Sequence, residues 1–247
     1  MAQFTIEIAG QRIRVESLFE STRDYCRAYF SSGEPDHFVS VRREALAREQ
    51  ELWDQEAVEE GFRRRKFSDP FLERAVIQRA VAEHLFEKDI LLFHGSALAV
   101  DGDGYLFTAR SGTGKSTHTR LWCRAFGQRA VMINDDKPFL RIAQEPILVC
   151  GAPWSGKHGL DSNLSVPLKG ICILERGTEN QIRPLQPEEA VAMLLHQAAC
   201  PDGKQARCLT LVKALAERTP LWHMYCNQEL QAAQTAFRAM SGEAVIR

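Results

Sequence analysis

Apolar and polar residues alternate twice near the start of the chain, over residues 4–8 (Phe-Thr-Ile-Glu-Ile) and 13–15 (Ile-Arg-Val). A period of two predicts a pair of strands, turning at Ala9-Gly10-Gln11. Residues 39–53 are rich in charge and too weakly patterned for an assignment. From Ser68 onward the signals sharpen. Asp69 followed by Pro70 predicts a helix start, with the acid as N-cap and the proline in the first turn. Phe71, Leu72, Ala75, Val76, Ala80, Leu85 and Phe86 then share one helical face. Residues 90–93 and 98–100 read as strands, and Asp101-Gly-Asp-Gly104 as a hairpin turn before a strand at 105–108. A helix over 116–126 is stopped by Gly127, and a buried strand follows at 130–133. A strand at 170–174, a helix over 187–200 with Pro187 in its first turn, a strand at 220–226 and a helix over 227–240 capped by Asn227 complete the pattern. Hairpins first and interleaved helices afterwards predict an α/β fold with a mixed, partly antiparallel sheet. The change of texture divides the chain into a small α+β portion, 1–67, read as the source of substrate or partner specificity, and a catalytic domain, 68–247.

Composition adds bounds rather than detail. The 247 residues are 45% hydrophobic and 26% charged, which suits a folded protein with a sizeable core. A net charge of -1 gives no electrostatic case for nucleic acid or an anionic membrane. Met1 to Gly10 lacks the basic start and apolar core of a signal peptide. No apolar run approaches the roughly 20 residues of a membrane span. Seven scattered cysteines without a CxxC pair suit buried thiols of a reducing compartment, so the expected location is cytoplasmic. Arg63-Arg-Arg-Lys66 is read either as a solvated face or as a docking surface for an acidic partner.

The chemistry concentrates at Ser111-Gly112-Thr113-Gly114-Lys115-Ser116-Thr117, between a predicted strand and a predicted helix. Backbone N–H groups opening a helix bind phosphate through their unpaired donors and the helix dipole. Lys115 is spaced to touch the outer phosphates and Ser116 to hold Mg²⁺. The first position of the usual GxxxxGK[ST] pattern is Ala109 rather than glycine. Asp135 and Asp136 follow the strand at 130–133, and neighbours at a strand end point to opposite faces. One then serves Mg²⁺ and the other accepts the proton of an incoming hydroxyl, as phosphoryl transfer to an alcohol requires; the alternative is an ordinary polar strand exit. His94-Gly95, after an apolar strand, is read as either structural or functional. The stretch Gly151-Ala-Pro-Trp-Ser-Gly-Lys157-His158-Gly159 is either a mobile lid that brings Lys157 and His158 to the transferring phosphate or an exposed loop with a packing Trp154.

The ordered set His94-Gly95, Ser111–Ser116 and Asp135-Asp136 resembles the catalytic domain of HPr kinase/phosphorylase and, more remotely, the phosphate loop of ATP-dependent phosphoenolpyruvate carboxykinase. The resemblance covers roughly residues 90–141. It implies a P-loop variant with a mixed sheet, ATP and Mg²⁺ as cofactors, and a homo-oligomer. It also implies roles: His94 as the active-site histidine, Lys115 and Ser116 as the phosphate and Mg²⁺ groups, Asp135 as the base, and Asp136 as its metal-side neighbour. Where that family carries Glu-x-Arg-Gly, this chain reads Pro167-Leu-Lys169-Gly170, which sets it apart from the bifunctional HPr enzymes. The resulting expectation is an ATP-dependent kinase acting on a hydroxyl of a small molecule or of a peptide or protein serine. A nucleotide hydrolase and a non-catalytic nucleotide-binding regulatory protein are the alternatives.

Overall fold

The alternation at the chain start folds as a hairpin in the computed structural model, which describes residues 1–59, 61 and 63–242. Strand β1 (Ala2–Ile8) pairs antiparallel with β2 (Gln11–Ser17), and Phe4, Ile6, Ile8, Ile13 and Val15 fill the buried face. A helix α1 (Glu20–Tyr25) leads to β3 (His37–Ser40), which adds to β2 in parallel. Helices α2 (Arg43–Glu59) and α3 (Asp69–Phe86) complete a unit spanning Met1–Glu87. The chain therefore divides after Glu87 rather than before Ser68. The reason lies in Glu73: its buried carboxylate accepts hydrogen bonds from the Leu18 N–H and the Thr22 hydroxyl, binding α3 to the N-terminal segment.

Helix α2 covers the stretch that had no periodic signal, because only Leu46 and Glu49 are buried in it. Glu49 is buried as half of a forked pair with Arg79, whose Nη2 and Nε donate at 3.0 and 3.2 Å. Pairing is what makes a buried carboxylate tolerable. Asp69 is not the N-cap of α3; Ser68 occupies that position in extended conformation, and Asp69 lies in the first turn where it meets the helix dipole. Substituting Glu73→Ala strands the buried Thr22 hydroxyl and the half-buried Leu18 N–H, and should lower the unfolding free energy by about 2–4 kcal/mol. Denaturant titration checks this, and an unchanged midpoint would show that the carboxylate is not what holds α3.

Residues Lys88–Arg247 form the other unit. In order they contribute β4 (Ile90–Leu92), β5 (Ser96–Val100), β6 (Asp103–Thr108), α4 (Lys115–Phe126), β7 (Ala130–Asn134), β8 (Phe139–Arg141) and β9 (Leu148–Cys150). There follow β10 (Ser165–Arg176), β11 (Gln181–Pro184), α5 (Pro187–Leu195), α6 (Gln205–Arg218), β12 (Leu221–Cys226) and α7 (Leu230–Ser241). The sheet runs β7-β5-β6-β10-β12-β11. Its β6, β10 and β12 are parallel, and β5 lies antiparallel between β6 and β7. Strands β6 and β7 thus run the same way, and both deliver their C-terminal ends to one edge of the sheet. The first residues of β10 also pair antiparallel with β9, which continues through β8 to β4. The expected mixed, partly antiparallel α/β architecture is what the chain adopts. Its core packs α4 and α7 on the sheet around fully buried Trp122, whose ring meets Tyr105, Phe107 and Phe237.

Two helix boundaries differ from the sequence pattern. Helix α5 stops at Leu195, not 200, because Ala199 N–H bonds Leu92 O and Ala198 bridges Phe93, drawing the chain out to the β4 edge. Asn227 does not cap α7. Glu229 is the N-cap, while the Asn227 side chain shapes the preceding turn by accepting from the Glu229 N–H at 3.1 Å. All seven cysteines are unpaired, and no helix among the described residues is long and apolar enough to cross a membrane.

Candidate active site

Three segments distant in sequence meet at the edge where β6 and β7 end. The glycine-rich loop 109–114 leaves β6 and enters α4; the two acids follow β7; His94 lies between β4 and β5. Main-chain and hydroxyl bonds knit them together. Thr108 Oγ1 donates to His94 O at 3.1 Å, Gly95 N–H to Asp136 O at 2.9 Å, and Ser116 Oγ to Asp135 O at 3.5 Å.

In the loop, Ser111, Gly112 and Thr113 precede Gly114, which sits at φ 122°, where a Cβ would be strained, and swings the chain into α4. Lys115, Ser116 and Thr117 form the first turn, so their N–H groups have no intrahelical acceptor and lie at the positive end of the dipole. That arrangement binds anions. Lys115 is buried, with Nζ donating to Ala109 O at 3.2 Å across the loop. Burial lowers its pKa, against the opposing pull of nearby Asp136. Ala109 is not in the left-handed region, so alanine in place of glycine carries no backbone penalty. The loop is braced from the end of β10, where Arg176 donates to Gly112 O at 2.6 Å and Thr113 O at 3.4 Å.

The acids have contrasting surroundings. Asp135 is buried; its Oδ1 accepts from Gly156 N–H at 2.6 Å, and its Oδ2 has no hydrogen-bond partner among the described residues. Burial raises its pKa, the Gly156 N–H works against that, and the neighbouring Asp136 charge adds to the rise. Burial also opposes ionisation of Asp136. The His94 hydrogen bond and the Lys137 charge outweigh it, however, and hold Asp136 well below the usual carboxylate range. His94 Nε2 lies 3.5 Å from Asp136 Oδ1, and Lys137 Nζ 3.1 Å from Oδ2. Two adjacent carboxylates with pKa values driven apart are suited to different tasks.

Asn134 organises this turn. Its Oδ1 accepts from the N–H groups of Asp136 and Lys137 at 2.9 and 2.7 Å. Its Nδ2 donates to Ala152 O and Trp154 O at 2.8 and 3.2 Å, tying the acids to the second glycine-rich loop. That loop covers Asp135 at Gly156, where a Cβ would approach the carboxylate to 3.1 Å. Lys157 and His158 are exposed at its tip; the His158 charge lowers the Asp135 pKa, but the structure gives Lys157 no contact with the acids. A methyl group at Gly156 would displace the Asp135 carboxylate by a few tenths of an ångström, so if Asp135 acts as a base Gly156→Ala should reduce turnover by about ten- to a hundredfold. The melting temperature should move little. Unchanged steady-state rates would show that the placement of Asp135 is not critical.

Among the described residues, no cluster of three or more His, Cys, Asp or Glu side chains could hold a metal by itself. The Ser116 hydroxyl and the ionised Asp136 carboxylate would be the oxygen donors for a Mg²⁺ ion, which takes few protein ligands beside water and phosphate. Lys137 and Arg176 carry no motif in the sequence. Asn134 directly precedes the acid pair and carries a local signal as a turn-forming residue at a strand end, and Gly156 lies within the glycine-rich stretch 151–159.

A family model described as ScmC, SynChlorMet cassette protein ScmC, matches residues 71–226. No curated protein matches. Among solved structures, the Hpr(Ser) kinase/phosphatase from Coxiella burnetii is similar over 61% of this chain and 99% of its own, with 12% identity and a TM-score of 0.36.

Proposed function

The chain belongs to the ScmC family of SynChlorMet cassette proteins, and we propose that it is an ATP-dependent kinase phosphorylating a hydroxyl of a small molecule or of a peptide or protein serine. The observation that carries this reading is the buried, unpartnered Oδ2 of Asp135, beside a helix-opening glycine loop with a buried lysine. A nucleotide-binding site alone has no use for that second carboxylate. In this reading Asp135 takes the proton of the acceptor hydroxyl as its oxygen bonds to the γ-phosphorus. The bond from that phosphorus to the bridging oxygen breaks, and ADP leaves with the electron pair. Lys115 and the N–H groups of 112–117 stabilise charge on the transferring group. Ser116 and Asp136 hold Mg²⁺, which neutralises phosphate charge when bound. His94 and Lys137 keep Asp136 ionised and oriented. The loop 151–159 moves off Asp135 to admit the acceptor and brings Lys157 and His158 towards the phosphoryl group.

Incubation with γ-labelled ATP and Mg²⁺ against fractionated metabolites and peptides tests this, with the labelled product identified by mass spectrometry. Label in an acceptor is the expected result. Release of phosphate with no labelled acceptor would make the protein a nucleotide hydrolase. Tight ATP binding without turnover would make it a regulatory nucleotide-binding protein.

A further inference from the structure

A cavity of about 600 Å³ lies wholly within Met1–Glu87, between the second half of α2 and the basic stretch that follows it. Trp53, Glu56 and Ala57 line one wall; Arg63, Arg65 and Phe67 line the other. The two walls have different periods. Spacings of three and four place the first set on one face of a helix, and the second set takes alternate positions of a stretch without regular secondary structure, all three lining the cavity. Gln50 fixes this second wall, donating to Arg65 O at 2.8 Å and accepting from Phe67 N–H at 3.0 Å. Phe67 in turn packs on Trp53, at 5.1 Å between ring centroids, and on Phe71, at 4.6 Å. These rings give the groove an aromatic floor.

Charge and unmet hydrogen bonding describe the occupant. Arg63, Arg64, Arg65 and Lys66 are all exposed, and their side chains make no ion pair or hydrogen bond among the described residues. Glu56, the acid on the helical wall, is 3.7 Å from Arg79, which offsets its charge. The Trp53 Nε1 is buried without a hydrogen-bond partner among the described residues, leaving a donor that needs an acceptor.

We propose that this groove docks an acidic peptide segment carrying an aromatic or large aliphatic side chain. The apolar side chain lies over Trp53 and Phe67, carboxylates meet Arg63 and Arg65, and an oxygen of the segment accepts from the Trp53 indole. A chain fits better than a single small anion because four residues span up to about 13 Å, and unpaired cations along that stretch call for more than one carboxylate. The docking is independent of phosphoryl transfer in the other unit, and stands or falls without ATP.

Fluorescence anisotropy with the full chain tests it. The probe is a fluorescein-labelled peptide of Asp and Glu interspersed with Phe and Leu. Its competitors are the same peptide with Lys in place of the acids, a single-stranded RNA and phosphatidylglycerol vesicles. The acidic peptide should bind, less tightly as salt is raised. Arg63→Glu combined with Arg65→Glu should weaken it by at least about tenfold, while Arg64→Glu, off the cavity wall, weakens it less. Trp53→Phe, which keeps the floor and removes the donor, should also weaken it. Circular dichroism confirms that each variant is folded, as expected for the exposed, unpaired arginines. Failure of the acidic peptide to bind, equal binding by the double arginine variant, or tighter binding of RNA or vesicles would overturn the assignment.

Discussion

Lys115→Met is expected to cut phosphoryl transfer by about 10²–10³-fold, the usual loss when one donor to developing transition-state charge is removed. Methionine fills nearly the same volume, so the fold is retained. The lysine is buried at a cost, with its pKa lowered by desolvation and one carbonyl, Ala109 O, as its hydrogen-bond partner. A triphosphate repays that cost by giving the ammonium an opposite charge in a site where water screens little. The variant should therefore bind ATP more weakly, yet melt no lower than the parent without ligand. Calorimetric titration and γ-labelled turnover measure the two effects. Turnover at the parental rate would remove Lys115 from the mechanism.

Asp135→Asn separates binding from chemistry. The asparagine Oδ1 still accepts the Gly156 N–H, so the turn and the overlying loop stay in place. Its amide cannot take a proton. Transfer should fall by about 10²–10⁴-fold, the range for loss of a general base, with ATP affinity nearly unchanged. Equal loss of both would assign Asp135 to nucleotide binding instead. The raised pKa fixes the direction of two pH effects. Activity of the parent should decline as pH falls through the raised value, because the base must be ionised. A carboxyl whose folded pKa lies above its unfolded value stabilises the fold at low pH and loses that contribution as pH rises through the folded pKa. Replacing it by a neutral amide should therefore raise the melting temperature at neutral pH.

Elements that carry a whole period within their own residues were legible in the sequence: β1 and β2, the β5–β6 hairpin, α4, β7 and β12. Helix α2 was not, because pairing between Glu49 and Arg79 holds it where an apolar stripe would normally do so. Strands β8 and β9 have three residues each, too few for a pattern, and exist through their partners. Helix α6 is a different case. Cys208, Leu211, Val212 and Leu215 form a regular buried stripe at helical spacing, a pattern contained in the sequence itself. At the site, the glycine loop and acid pair were visible because each is contiguous. The bracing was not: Arg176 grips a carbonyl 64 positions earlier, and Gly156 reaches Asp135 across 21. Such contacts depend on strand order, which local pattern does not contain.

Strand β10 belongs to two sheets at once, pairing β9 through Ser165–Pro167 and β6 and β12 through the rest of its length. The antiparallel leaf and the parallel trio therefore cannot be lost one after the other without tearing a strand they share. Residues Lys88–Arg247 should unfold as a single cooperative block, with amides of β10 among the last to exchange with solvent. Arg176, on which the glycine loop leans, stands at the end of that strand, so the loop can shift by releasing this side chain while the strand and the block stay folded.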